Sequence, residues 1–159
     1  MRQLHPELRQ AVQNYFQEHN LGDPETESLM CCETISEKKN VSRLASWLEG
    51  GTDATIHMGM LLTSELLIWV HHGDRSVTTI NAANLNDIQA EAHQSWFTKE
   101  NGLEIFGFIG SSKKPIRGYL GMGEEEAAQK FCEAVQSAIT ALRPPPTEKR
   151  GFARWFSPR

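Results

Sequence analysis

Met60-Leu61-Leu62-Thr63-Ser64-Glu65-Leu66-Leu67-Ile68-Trp69-Val70-His71-His72-Gly73-Asp74 is the stretch on which the fold class turns. Two apolar runs flank a polar break, and the second, Leu66 to Val70, is apolar at every position. Such a run fits a strand covered on both faces, although periodicity alone does not separate it from a buried helix. The β-branched residues nearby and the Gly73-Asp74 turn decide for strand. Thr55–Thr63 and Glu65–His71 are therefore read as two strands.

Working upstream, Leu29–Ser36 is rich in β-compatible residues and is read as the first strand. Lys38-Lys39-Asn40 opens a connection in which Val41, Leu44, Trp47 and Leu48 are spaced like one amphipathic turn, before Gly50-Gly51 breaks the chain. Further back, Leu4, Leu8, Val12, Tyr15 and Phe16 recur at helical spacing behind Pro6 and Glu7, which suit a first helical turn. Asn20-Leu21-Gly22-Asp23-Pro24 ends that helix. Its stripe suits packing on the same chain or across a homo-oligomer.

Downstream, Ser76–Ile80 alternates weakly and is read as a strand. Ile88, Ala90 and Ala92 alternate with Gln89, Glu91 and His93, as in a strand with one wet face. Leu103–Ile109 and Pro115–Leu120 form an expected hairpin across Gly110-Ser111-Ser112-Lys113-Lys114. The total is about seven short strands, a spacing typical of a sandwich or small barrel. After Gly123, Glu124-Glu125-Glu126 suits the positive end of a helix dipole. Ala127, Ala128, Phe131, Val135, Ala138, Ile139 and Leu142 then share one face, and Pro144-Pro145-Pro146 stops the helix. The expected organisation is a helical extension over 1–24, a β domain with its closing helix over 25–142, and a basic aromatic tail over 143–159.

At 159 residues, with 39% hydrophobic and 23% charged, the chain has the size and composition of one globular domain. Its net charge of −4 argues against nucleic-acid binding by the whole surface. That charge is uneven: residues 143–159 carry a local +4, which leaves −8 elsewhere. No apolar run approaches the ~20 residues of a membrane span, and MRQLHPELRQ lacks the apolar stretch of a secretory signal. Three cysteines, Cys31, Cys32 and Cys132, show no disulfide-framework spacing. The expectation is cytoplasmic residence with reduced thiols, with or without peripheral attachment to a membrane.

Seven short antiparallel strands and one closing helix are the element order of pleckstrin-homology-like domains. Met60-Leu61-Leu62-Thr63, two further residues and Leu66-Leu67-Ile68-Trp69-Val70 resemble the paired-strand pattern of bacterial PH-like and GRAM-like domains. Asn84-Leu85-Asn86-Asp87-Ile88 resembles the step that opens a later strand there. The resemblance implies a mainly β fold: a PH-like antiparallel seven-stranded barrel capped by a C-terminal helix, here with an extra N-terminal helix. It also implies a binding or adaptor module rather than an enzyme.

The residues themselves offer little catalytic or metal chemistry. There is no Gly-x-Ser-x-Gly elbow, phosphate loop or His-Glu-x-x-His. Adjacent strand residues point to opposite faces, so neither His71-His72 nor Cys31-Cys32 readily chelates one ion, and no zinc-type spacing occurs. The expectation is no cofactor and no metal; His57, His71, His72 and His93 lie on or beside strands, where some can meet in space.

Two basic segments are the candidate contacts. Lys38, Lys39 and Arg43 stand where pleckstrin-homology domains carry a head-group-binding loop, followed by Trp47, which can dip into an interface. In the tail, Lys149, Arg150, Phe152, Arg154, Trp155 and Phe156 interleave cations with aromatics, as a docking peptide or membrane anchor does. A protein or peptide partner is the first expectation, in a groove between strands and closing helix. An anionic lipid surface is the alternative.

Overall fold

The computed structural model describes residues 4–37, 55–94, 101–123 and 125–143. The expected contacts at Lys38, Lys39, Arg43, Trp47, Lys149, Arg150, Phe152, Arg154, Trp155 and Phe156 all lie outside the described residues.

Helix α1 (Pro6–Glu18) and the single turn α2 (Pro24–Glu27) precede seven strands. These are β1 (Met30–Glu37), β2 (Thr55–Leu62), β3 (Leu66–Gly73), β4 (Thr79–Asn84), β5 (Ile88–Gln94), β6 (Asn101–Gly107) and β7 (Ile116–Met122). Helix α3 (Glu126–Leu142) follows. All ladders are antiparallel and join neighbours in sequence. They form two sheets, β1-β2-β3-β4 and β5-β6-β7. Among the described residues no ladder joins β1 to β7 or β4 to β5, so the continuous ring of main-chain bonds expected of a barrel is replaced by two sheets.

Register explains why β3 is apolar throughout. Met58↔His71, Met60↔Trp69 and Leu62↔Leu67 put one set of side chains on the inner face, and Gly59↔Val70 and Leu61↔Ile68 put the other outside. The inner set joins Leu103, Ile105, Leu120 and the buried face of α3, namely Ala128, Phe131, Val135 and Ile139, in the main core. The outer set packs under Leu4, Leu8, Val12 and Phe16 in a second core. Sheet β1–β4 is thus covered on both faces, as the unbroken run from Leu66 to Val70 requires. Gly59 permits the close approach of α1: a Cβ there would lie 3.2 Å from Leu8 Cδ1. The α1 stripe therefore has its partner within the same chain.

Helix α3 rests against β5 and β1 and closes the space between the sheets. Phe131 is fully buried there, a burial that stabilises by about 1.5–3 kcal/mol. Ala127 and Leu142, expected on the inward face, are exposed.

The clearest correction concerns the fourth strand. It was expected over Ser76–Ile80 and runs instead over Thr79–Asn84. Asn81, Ala82, Ala83 and Asn84 have poor strand propensity, but Ala83 enters the main core and Ala82 the second one. Burial of two small side chains beneath neighbouring elements overrides propensity here. The β6–β7 hairpin keeps its place but its connection is longer, since Phe108 N–H donates to Asp87 O and Gly110 N–H donates to Ala82 O. Along β5 the expected alternation holds at Ile88 and Ala90 and fails at Ala92, which is exposed. No helix among the described residues is long and apolar enough to cross a membrane.

Candidate functional site

Among the described residues, strand β1 ends one sheet and β7 ends the other. Edge strands present unpaired N–H and C=O groups at every second residue. Between these two edges and the start of α3 lies a groove of about 1030 Å³. One wall is β1 from Cys31 to Ser36, and the other is Tyr119, Gly121 and Met122 of β7. Glu125 and Ala128 line it at the start of α3, and Leu4, His5 and Pro6 line it at the start of α1. Thr34 Oγ1 donates to Gly121 O across the gap at 3.4 Å. That side-chain bond stands where a ladder would be needed to close a barrel.

The polar centre of one wall is Glu33. Its Oε2 accepts the His5 backbone N–H at 2.8 Å, and its Oε1 lies 3.0 Å from His57 Nδ1. Both side chains are largely buried, 17% and 22% exposed. His5 precedes α1, and no side chain of its own caps that helix. Glu33 supplies the carboxylate from a different element, at the positive end of the α1 dipole, where an anion is favoured. Pro6 at the first helical position has no N–H to satisfy.

The His5 ring lies between two others. Its centroid is 4.7 Å from that of His57 and 5.6 Å from that of His72. His57 and His72 are register partners on β2 and β3, and His72 Nδ1 lies 2.9 Å from Thr78 Oγ1. His5 Nδ1 is buried without a hydrogen-bond partner among the described residues. His71 points to the opposite face, as alternation requires; its Nε2 is likewise buried without such a partner, and burial lowers its pKa. No group of three or more His, Cys, Asp or Glu among the described residues is arranged to hold a metal ion.

The two adjacent cysteines also separate by face. Cys31 packs against the second core and Cys32 against the main one. Burial raises the Cys32 thiol first, and the neighbouring Cys31, Cys132, Glu125 and Glu33 add to that shift. Burial likewise raises Cys132, with Glu133 adding to it. Both shifts favour the neutral thiol over the reactive thiolate.

Two large apolar side chains remain exposed at the groove. Ile35 is 58% exposed on the β1 edge and Tyr119 is 44% exposed on β7. Tyr119 lies across Gly102 of β6, where a Cβ would come within 2.5 Å of the ring and of Leu120 O. Sequence reasoning had singled out none of His5, Glu33, Ile35 and Tyr119 as site residues. Only His57 and His72 carried a signal, as strand histidines able to approach one another.

Models of known protein families do not match this chain, and a search of curated proteins finds no match.

Proposed function

We propose that this chain is a non-enzymatic binding module whose partner is a protein or peptide, held in the groove between the β1 and β7 edges beside α3. The edge position of β1 among the described residues carries the reading: it offers main-chain donors and acceptors along a groove that also exposes Ile35 and Tyr119. Strand addition draws affinity from such main-chain groups and specificity from neighbouring pockets. Exposed aromatic and aliphatic side chains at the margin supply the apolar anchors that dominate binding energy.

The order of a four-stranded sheet, a three-stranded sheet and a closing helix supports a pleckstrin-homology-like ancestry. Within that reading the groove beside the helix is a natural place for a peptide. The Glu33–His57 pair serves to anchor α1, and raised thiols at Cys32 and Cys132 fit a role without covalent chemistry. Residence in the cytoplasm suits reduced thiols. The lipid alternative rests on residues 38–43 and 149–156.

The test is selection of a displayed random peptide library on the immobilised full chain. Enriched peptides are then assayed on Ile35→Ser, Tyr119→Ser and Val77→Ser; Val77 is exposed and is not among the groove residues. Loss of binding by roughly tenfold or more in the first two but not the third is expected, since a central apolar anchor contributes ~2 kcal/mol or more. An absence of enrichment, or equal binding to all three variants, contradicts the reading.

A further inference from the structure

The outer face of the three-stranded sheet is acidic and aromatic at once. Leu103, Ile105 and Leu120 belong to the main core, so Glu104 and Phe106 of β6 and Arg117 and Tyr119 of β7 face outward by alternation. Register sets Glu91 of β5 directly opposite Glu104, with Tyr119 on the other side of Glu104. It likewise sets Phe106 between Gln89 and Arg117. Two carboxylates directly opposite on one face repel each other. Arg117 Nη1 lies 3.1 Å from Glu104 Oε1, so these two rows set one cation against two carboxylates, and Glu91 is exposed.

Aromatic surface lies beside that charge. Phe106 and Tyr119 are 45% and 44% exposed, and Phe108, just beyond the end of β6, is 47% exposed. Rings next to carboxylates suit an occupant that brings aromatic and cationic side chains together.

The chain itself contains such a segment, and α3 delivers it to this face. Lys149, Arg150 and Arg154 interleave with Phe152, Trp155 and Phe156, outside the described residues. At the end of α3, Arg143 Nη2 donates to Ile88 O at 3.4 Å. Ile88 stands opposite Gly107, the residue between Phe106 and Phe108. Phe152 follows Arg143 by nine residues, a reach of up to about 30 Å. The width of three strands is only about 10 Å. Tethering also gives the segment a high effective concentration at the face, so that a contact too weak to hold separate molecules together is populated.

We propose that the outer face of β5, β6 and β7 is the docking site of residues 149–156 of the same chain, aromatic side chains against Phe106 and Tyr119 and arginines held by Glu91 and Glu104. The contact is on a different face from the peptide groove and stands or falls separately from it.

The experiment compares amide chemical shifts of the full chain with those of a full-length variant carrying Phe152→Ser, Trp155→Ser and Phe156→Ser. Differences are expected at residues 89–91, 104–108 and 117–119, unchanged on dilution and smaller as salt rises, since the attraction is screened. The reciprocal variant is Glu91→Lys, at an exposed position; it should move the amides of residues 149–156 and leave residues 31–36 unmoved. No difference at the sheet in the first variant, or none at residues 149–156 in the second, overturns the proposal. Differences that fade on dilution give the face to the same segment of a second copy and overturn the contact within one chain. Shifts at residues 149–156 only on adding phosphatidylserine vesicles, with the sheet unmoved by the tail substitutions, overturn it in favour of a lipid surface.

Discussion

Glu33 Oε1 lies 3.0 Å from His57 Nδ1, and the same carboxylate accepts the backbone N–H of His5 through Oε2. One side chain on β1 therefore ties an edge strand, its neighbour β2 and the start of α1. Replacing it with glutamine keeps the shape and removes the charge. Glu33→Gln is expected to destabilise the fold by about 1–2 kcal/mol, the worth of a charge-assisted hydrogen bond plus a helix-terminus charge. Urea unfolding checks this. A double-mutant cycle with His57→Gln should show a coupling of at least ~0.5 kcal/mol; additivity would mean that the short contact carries no energy.

His71 sets a pH dependence. Burial lowers its pKa below the ordinary 6.5, so the folded state binds the proton less readily than the unfolded chain. The stabilisation is present above the unfolded value and is lost as pH falls from 6.5 toward the lower folded value. The urea midpoint should thus drop between about pH 7 and pH 5, and His71→Gln should flatten that drop. An unchanged slope in the variant would assign the acid sensitivity to other groups.

Because β3 sends alternate side chains into two cores, those cores are expected to unfold together. Leu8→Ala, beneath α1, should cost about 2–4 kcal/mol, and Phe131→Ala, beneath α3, about 3–5 kcal/mol. Circular dichroism and tryptophan fluorescence should report one coincident transition for each variant. Loss of α1 ahead of the sheets in Leu8→Ala would show that the helix is an independent appendage.

Much of the architecture was legible because hydrophobic period reports burial directly. The five-residue apolar run gave β3 two covered faces, and the 3.6-residue stripes marked α1 and α3. The fourth strand was misplaced because Ala82 and Ala83 owe their place to what packs on them, not to propensity. The groove was out of reach for a related reason. Glu33 meets His5 across 28 residues and His57 across 24, and Thr34 meets Gly121 across 87. No local spacing encodes such pairs. The sequence drew attention to clustered cations instead, and those lie outside the described residues.

Tyr119 and Gly102 form a matched pair on the outer face of β6 and β7, the ring covering a position without a side chain. Gly102→Ala places a methyl group 2.5 Å from both the ring and Leu120 O. A loss of about 1–3 kcal/mol is expected, as for overpacking. Tyr119→Ala should rescue it only in part, since the Leu120 carbonyl remains. Full rescue would show that the ring alone sets the constraint.

The central claim is that the groove between β1 and β7 receives the partner. Amide chemical-shift mapping of the full chain with an enriched peptide tests it most directly. Shifts confined to residues 31–36, 119–123 and the first turn of α3 are expected. Shifts centred on the outer face of the three-stranded sheet, around Gln89 and Phe106, would contradict it.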